Sequence, residues 1–272
     1  MNKRIKAIDI CACTVLLMSL CTVLLLCACG GNESNVLKFE KLKVEKEVAL
    51  AAGKDAPSCK VLLEVNYANG GNAETDKEVN ETLQHHLFDM QGLTMQQAAD
   101  SFATQYVRDY KGTLTALYER DRNDASKKAW YEYHYTIDTR TQSGREGVVN
   151  YLIDIDYHEG GAHGIRQLLV LNFDEQSGHQ LTLSDVFVPG YETRLKELLQ
   201  EKLMEIADVT TQDELKAKDY LYSMDMFPSE NFILNDDEIT FIYNPYEIAP
   251  YEKGMTEISV TYSEVKDILV IK

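Results

Sequence analysis

The sequence predicts an α+β fold in which an antiparallel β-sheet meander is covered on one face by helices. Three observations point there. From about residue 130 to 183, apolar and polar residues alternate in runs joined by turns too short for parallel crossovers. Two helix-start signals precede those runs, at Thr75 and Thr94. A single leucine stripe follows them, between Tyr191 and about Ala207.

The elements follow in order. Val61, Leu63, Val65 and Tyr67 alternate with Lys60, Glu64 and Asn66, which predicts a strand broken by "NYANGGNAE". Thr75 with Glu78 reads as a capping box, and Val79, Leu83, Leu87 and Met90 continue at helical spacing. Thr94 with Gln97 opens a longer helix along Ala98, Phe102, Tyr106 and Tyr110, with Leu114 and Leu117 beyond Gly112. From Trp130 the chain reads as strands. Tyr131, Tyr133, Tyr135 and Ile137 alternate with Glu132, His134, Thr136 and Asp138, up to a turn at "QSGREG". Tyr151, Ile153, Ile155 and Tyr157 alternate with Asn150, Asp154 and Asp156. Leu169, Leu171 and Phe173 make a third strand, and "DEQSGHQ" turns the chain into Leu181 and Leu183. One polar and one apolar face predict a sheet covered on one side only. The stripe of Leu195, Leu198, Leu199, Leu203 and Ile206 suits its cover. A short helix over 212–222 and strands at Ile239–Tyr243 and Ile258–Tyr262 complete the path.

The N-terminus reads as an export signal. Lys3, Arg4 and Lys6 precede an apolar run from Ile10 to Ala28. Leu26-Cys27-Ala28-Cys29 resembles a bacterial lipobox, with Cys29 as the lipidated residue and "GGNESN" as a short tether. The other reading of the run is a retained membrane helix, since nineteen apolar residues can span a bilayer. The division is therefore residues 1–28 signal peptide, 29–35 lipidated cysteine and tether, 36–128 a segment of strands plus two helices, and 129–272 a C-terminal α+β domain. The 27 basic and 44 acidic residues give a net charge of −17. Cleavage would remove three basic residues and one acidic one, taking the charge two units lower, to −19. Such a balance argues against nucleic acid and favours cationic partners. Of the six cysteines only Cys59 lies beyond the signal region, so the folded part has no internal disulfide, and Cys59 reads as a small buried hydrophobe.

The chain carries a family likeness. "YHEGGAHGIRQLLVLNFDEQSGHQLTLSDVF", followed by "FPSENFILNDDEITFIYNPYEIAPYEKGMTEISVTYSEVKDIL", resembles the RsiV-type extracellular domain. Residues 56–122 are similar to the segment that usually precedes it, and the same pair accompanies the peptidoglycan deacetylase PdaC. The resemblance implies an α+β fold outside the cytoplasmic membrane, on the outer membrane or on the outer face of the inner one. In the anti-sigma members such a domain senses and binds lysozyme, and in the deacetylase members it is not the catalyst. Two departures are expected here: nine residues ahead of the apolar run are too few to hold a sigma factor, and no deacetylase domain follows. The resemblance thus implies a membrane-anchored sensor or binding module for a cationic, lysozyme-like protein or for peptidoglycan.

Two stretches hold the site candidates. In the first, Gly160 and Gly161 allow a tight reversal, and His163 is placed to lock it by bonding a neighbouring carbonyl. His158, Glu159, His163 and Asp156 would be the ligands of a metal site. Two histidines five apart across a glycine turn match no familiar ligand spacing, so no metal or other cofactor is expected. Asp154 and Asp156 share one strand face, as a solvated pair or, with Glu159 and His163, as the working groups of an enzyme acting on cell-wall glycan. No G-x-S-x-G, H-E-x-x-H, Walker or Rossmann pattern occurs, and no catalytic residue is assigned. The second stretch, "NPYEIAPYEKG" at 244–254, offers Tyr246, Glu247, Pro250, Tyr251 and Glu252 for recognition. Its prolines reduce the ordering cost of binding, and its tyrosines give area with a polar tip. Tyr246, Ile248 and Tyr251 could instead fold back as a packed Ω-loop.

Overall fold

In a computed structural model of the chain, residues 37–161 and 163–270 are described. The signal, Cys29, the tether and Ala162 lie outside them, and so does any test of lipidation.

Six strands form the main sheet in sequence order: β1 Phe39–Ala49, β2 Ser58–Ala68, β3 Tyr133–Ser143, β4 Val148–Glu159, β5 Ile165–Asp174 and the two-residue β6 Gln180–Leu181. Neighbours are antiparallel except β2 and β3, which run parallel. A parallel pair needs a long crossover, and helices α1 Ala73–Phe88 and α2 Met95–Asp121 supply it. The β3–β6 part is the meander expected from the short turns.

The helix starts differ in one respect from expectation. Thr94 and Gln97 form a reciprocal capping box, but the first helix is capped at Asn72, three residues before Thr75. The Asn72 side chain accepts from the amides of Glu74 and Thr75, while the buried Thr75 hydroxyl donates to the Gln176 carbonyl. Trp130 sits not in a strand but in a 3-10 turn, Ala125–Tyr131. Leu183 opens a helical turn, α3 Leu183–Val186.

α1 and α2 cover one face of the main sheet. Val79, Leu83, Ala98, Ala99 and Ala103 pack with Val61, Leu63, Ile137, Ile153 and Phe173 in a first core. Cys59 is fully buried here, and burial pushes its thiol up to about 12. This core runs through the 128/129 division drawn from sequence, because β2 pairs with β3 across it.

The leucine helix, α4 Glu192–Ile206, covers a different sheet. Short helix α5 Gln212–Ala217 is followed by a three-stranded antiparallel sheet, β7 Phe232–Leu234, β8 Glu238–Tyr243 and β9 Thr256–Thr261. Leu195, Leu199 and Leu203 pack with Phe241, Ile258 and Val260 in a second core, whereas Ile206 is exposed. The expectation that α4 shields the meander is thus corrected: helix α4 was the nearest amphipathic cover in sequence, but the meander's helix face is already filled by α1 and α2.

The other face of the main sheet is not open throughout. Leu152, Leu168 and Val170 meet Ile242 from the second sheet, so the first half of β4 is buried on both faces. Four asparagine side chains stitch the sheets together. Asn150 Nδ2 donates to the Leu234 carbonyl, and Asn172 Nδ2 donates to the Phe232 carbonyl while its Oδ1 accepts from the Leu234 amide. In return Asn231 Oδ1 accepts from Val170, and Asn244 Oδ1 accepts from Leu168. Outward-facing backbone groups of β5 and β7 are satisfied in this way without strand pairing. Asn150, read from sequence as solvent-facing, is fully buried.

Candidate functional site

The loop between β8 and β9 is built on Asn244. Its side chain brackets Leu168 of β5, accepting from the amide at 2.8 Å and donating to the carbonyl at 3.0 Å. Its own amide donates to Glu247 Oε2 at 2.7 Å, which closes a tight turn. Buried Ile248 is the second anchor, and its carbonyl accepts from Leu221 at 2.8 Å. Pro250 then caps a 3-10 turn, Tyr251–Lys253.

Between these anchors Tyr246 has φ 74°, a left-handed conformation costly for any residue but glycine, and its side chain is 59% exposed. Tyr251 is half-buried, 5.7 Å from the Tyr246 ring and stacked on His163 at 4.2 Å and 16°. One tyrosine therefore packs while the other stands out. Tyr222, 80% exposed, and Met224, 41% exposed, line a groove of about 460 Å³ with Tyr246, Glu247, Ile248 and Pro250. Sequence reasoning missed Tyr222 and Met224. Their only signal is the apolar cluster in "DYLYSMDMF", which has no helical or strand period.

Glu252 is exposed, while Glu247 is held partly inside the turn. Burial raises the Glu247 pKa above its ordinary 4.5, opposed by the hydrogen bond from Asn244. A raised carboxyl pKa favours folding below 4.5, and that contribution fades as pH rises through the folded-state value. Glu247→Gln, which keeps an acceptor for Asn244, is therefore expected to raise the urea midpoint at pH 7. It should leave the midpoint unchanged near pH 4. An equal gain at both pH values would assign the effect to something other than the carboxylate's charge.

The β4–β5 turn lies against the loop through the His163–Tyr251 stack. Gly160 has φ 76° and Gly161 φ 106°, and His163 Nδ1 is 3.2 Å from the Gly164 carbonyl. The remaining polar candidates do not converge. Asp154 is paired with Arg140 and lies 3.9 Å from Arg166. Asp156 bonds His134 Nε2 at 2.6 Å, and the His134 ring stacks on His158. Glu159 has the opposite strand parity and accepts from the Tyr106 hydroxyl at 2.6 Å. Asp154 alone of these lines the cleft of about 620 Å³ inside the loop, with Arg166, Tyr251, Glu252 and Met255. Among the described residues no group of three or more His, Cys, Asp or Glu side chains is placed to hold a metal ion. No helix among them is long and apolar enough to cross a membrane.

Comparison with known proteins places this site in a family context. Residues 184–263 match the family described as protein of unknown function DUF3298. A crystal structure of a DUF3298 family member from Bacteroides fragilis is similar at 30% identity and TM-score 0.80, covering 87% of this chain and 94% of that one. A DUF3298 family protein from Pseudomonas aeruginosa has the same fold at 16% identity and TM-score 0.59, covering 88% of this chain and 96% of its own. No curated protein matches the chain.

Proposed function

The chain belongs to the DUF3298 family, and from that premise we propose that it is a non-catalytic binding or sensor module of the bacterial cell envelope. In this reading it is of the RsiV type and is tied to a membrane by lipid on Cys29. Its docking surface is the aromatic cluster of Tyr246, Tyr222 and Met224, and its partner is a cationic protein of the lysozyme kind.

The observation that carries the reading is Tyr246. A non-glycine residue in the left-handed region costs roughly 1–2 kcal/mol, yet the loop holds it there with the ring outward. Anchoring at Asn244 and Ile248 keeps the backbone beneath that ring in place before any partner arrives, so less ordering cost remains at binding. Exposed tyrosines on a fixed base are typical anchors of protein interfaces. The net charge of −17 would steer a basic partner toward the molecule.

The full chain in non-ionic detergent, titrated with a panel of lysozymes, tests this directly. Binding is expected at low salt and should weaken at moderate salt. Tyr246→Ala should lower affinity by about tenfold or more without loss of fold. No binding even at low salt removes this partner. Capture of peptidoglycan fragments instead would assign the surface to the wall. Turnover of a wall fragment, lost in Asp156→Asn or His163→Ala, would replace the binding reading with glycan hydrolysis.

A further inference from the structure

On the helix side of the main sheet a separate cleft of about 370 Å³ opens between α2 and the ends of β3 and β4. Tyr106, Asp109, Tyr110 and Leu114 line it from α2, and Tyr133 and Glu159 close it from the strands. The Tyr110 and Tyr133 rings sit 5.1 Å apart at 52°. Tyr110 spends its hydroxyl proton on the Tyr131 carbonyl at 2.7 Å, and Tyr106 donates to Glu159 Oε1 at 2.6 Å. That bond fixes the Glu159 carboxylate at the cleft. Burial, then Glu159 itself, pushes the Tyr106 phenol above its ordinary value, so it remains a donor throughout the neutral range.

The lining has one sign of charge. Among the described residues no Lys, Arg or His side chain lines it. Asp109 also meets Arg108 at 3.3 Å, but both partners are exposed and solvent weakens the pair. Tyrosine faces carry negative quadrupole potential, and a carboxylate beside them adds full charge. A cationic head gains from both, whereas a neutral head of the same size gains only contact. The volume is at the small end for ligand pockets, suited to one side-chain head or a small amine.

We propose that this cleft binds an ammonium or guanidinium group, seated against Glu159 and over the rings of Tyr110 and Tyr133. The site is independent of the Tyr246 loop. It is built by α2, its ligand can be a small molecule, and its occupancy does not require that the loop bind anything.

The chain supplies its own reporter, because Trp130 is the single tryptophan and its carbonyl lies where a Cβ on Gly160, next to Glu159, would touch it. The full chain in non-ionic detergent is titrated with Nα-acetyl-lysine methylamide, Nα-acetyl-arginine methylamide and the neutral Nα-acetyl-norleucine methylamide. Binding is followed by Trp130 fluorescence and by calorimetry. Saturable binding of the basic compounds and none of the neutral one is expected, and Glu159→Gln should weaken it by about tenfold or more. Tyr133→Leu, which removes a ring but no charge, should weaken it severalfold, and Tyr246→Ala should leave it unchanged. The proposal is overturned by no saturable binding in either readout, by norleucine binding equally, or by undiminished binding in Glu159→Gln.

Discussion

Replacing Asn172 with alanine is expected to lower folding stability by about 3 kcal/mol, measured as urea unfolding at neutral pH. Asn172 is 1% exposed and uses both ends of its amide on β7, at the Phe232 carbonyl and the Leu234 amide. Those backbone groups point away from β8 and lie at the seam, where among the described residues no other group bonds them. Truncation leaves a buried donor and a buried acceptor unsatisfied, each costing roughly 1–3 kcal/mol, and adds a small cavity. Asn172→Asp keeps the size but places a charge in the seam. Its loss should exceed that of alanine at pH 7 and shrink as the pH falls, because protonation removes the buried charge. A loss below about 1 kcal/mol for Asn172→Ala would mean that the two sheets are held by their apolar contacts alone.

Gly160→Ala is expected to cost about 2–4 kcal/mol, against about 1–2 kcal/mol for Gly161→Ala. Both glycines have positive φ, so both substitutions introduce backbone strain. They differ in surroundings. A Cβ on Gly160 would stand 2.6 Å from the Trp130 carbonyl oxygen, a backbone atom that cannot rotate aside. A Cβ on Gly161 would meet nothing within 4 Å. Urea unfolding gives the two losses, and Trp130 fluorescence should shift in the native state only for Gly160→Ala. Equal losses for both would show that the Trp130 turn yields freely.

The elements that were legible in the sequence are those whose pattern is local. Tyr151, Ile153 and Ile155 alternate within a few residues, and Thr94 with Gln97 declares a helix start over four positions. The strand β1 was legible in principle, since Leu42 and Val44 alternate with charged residues and are buried, but it forms no part of the sequence reading. Its lysines and glutamates suit an edge strand facing water. The asparagine seam could not be read. Asn150 and Asn172 each find their partners about sixty or more positions away, and asparagine in a sequence signals turns and surfaces before buried amides. The parallel β2–β3 pair was hidden for the same reason, being fixed by α1 and α2 docking between them.

The site was partly legible. Tyr246, Glu247, Pro250, Tyr251 and Glu252 stood out as a stiff aromatic loop, but their setting did not. His163 reads as a turn residue and Tyr251 as a loop residue; no spacing rule links them, yet their rings stack. Tyr222 and Met224 are placed beside Tyr246 by the left-handed backbone of Asp219 and Leu221, φ 65° and 52°, where no glycine marks the bend. The carboxylates Asp154, Asp156 and Glu159 look like a group in one dimension. Strand parity sends Glu159 to the opposite side, where it meets Tyr106.

The parallel register of β2 against β3 also shapes the order of assembly. As the chain emerges, the β1–β2 hairpin appears first, and the free edge of β2 has no neighbour until both helices have passed. The meander from β3 to β6 needs only short loop closures, so it can zip up early. Joining it to the earlier hairpin closes a much longer loop, whose entropy must be surrendered before Leu63 and Ile137 gain contact. The slow step of refolding is therefore expected to be the capture of the N-terminal hairpin and its helices by a meander already in place.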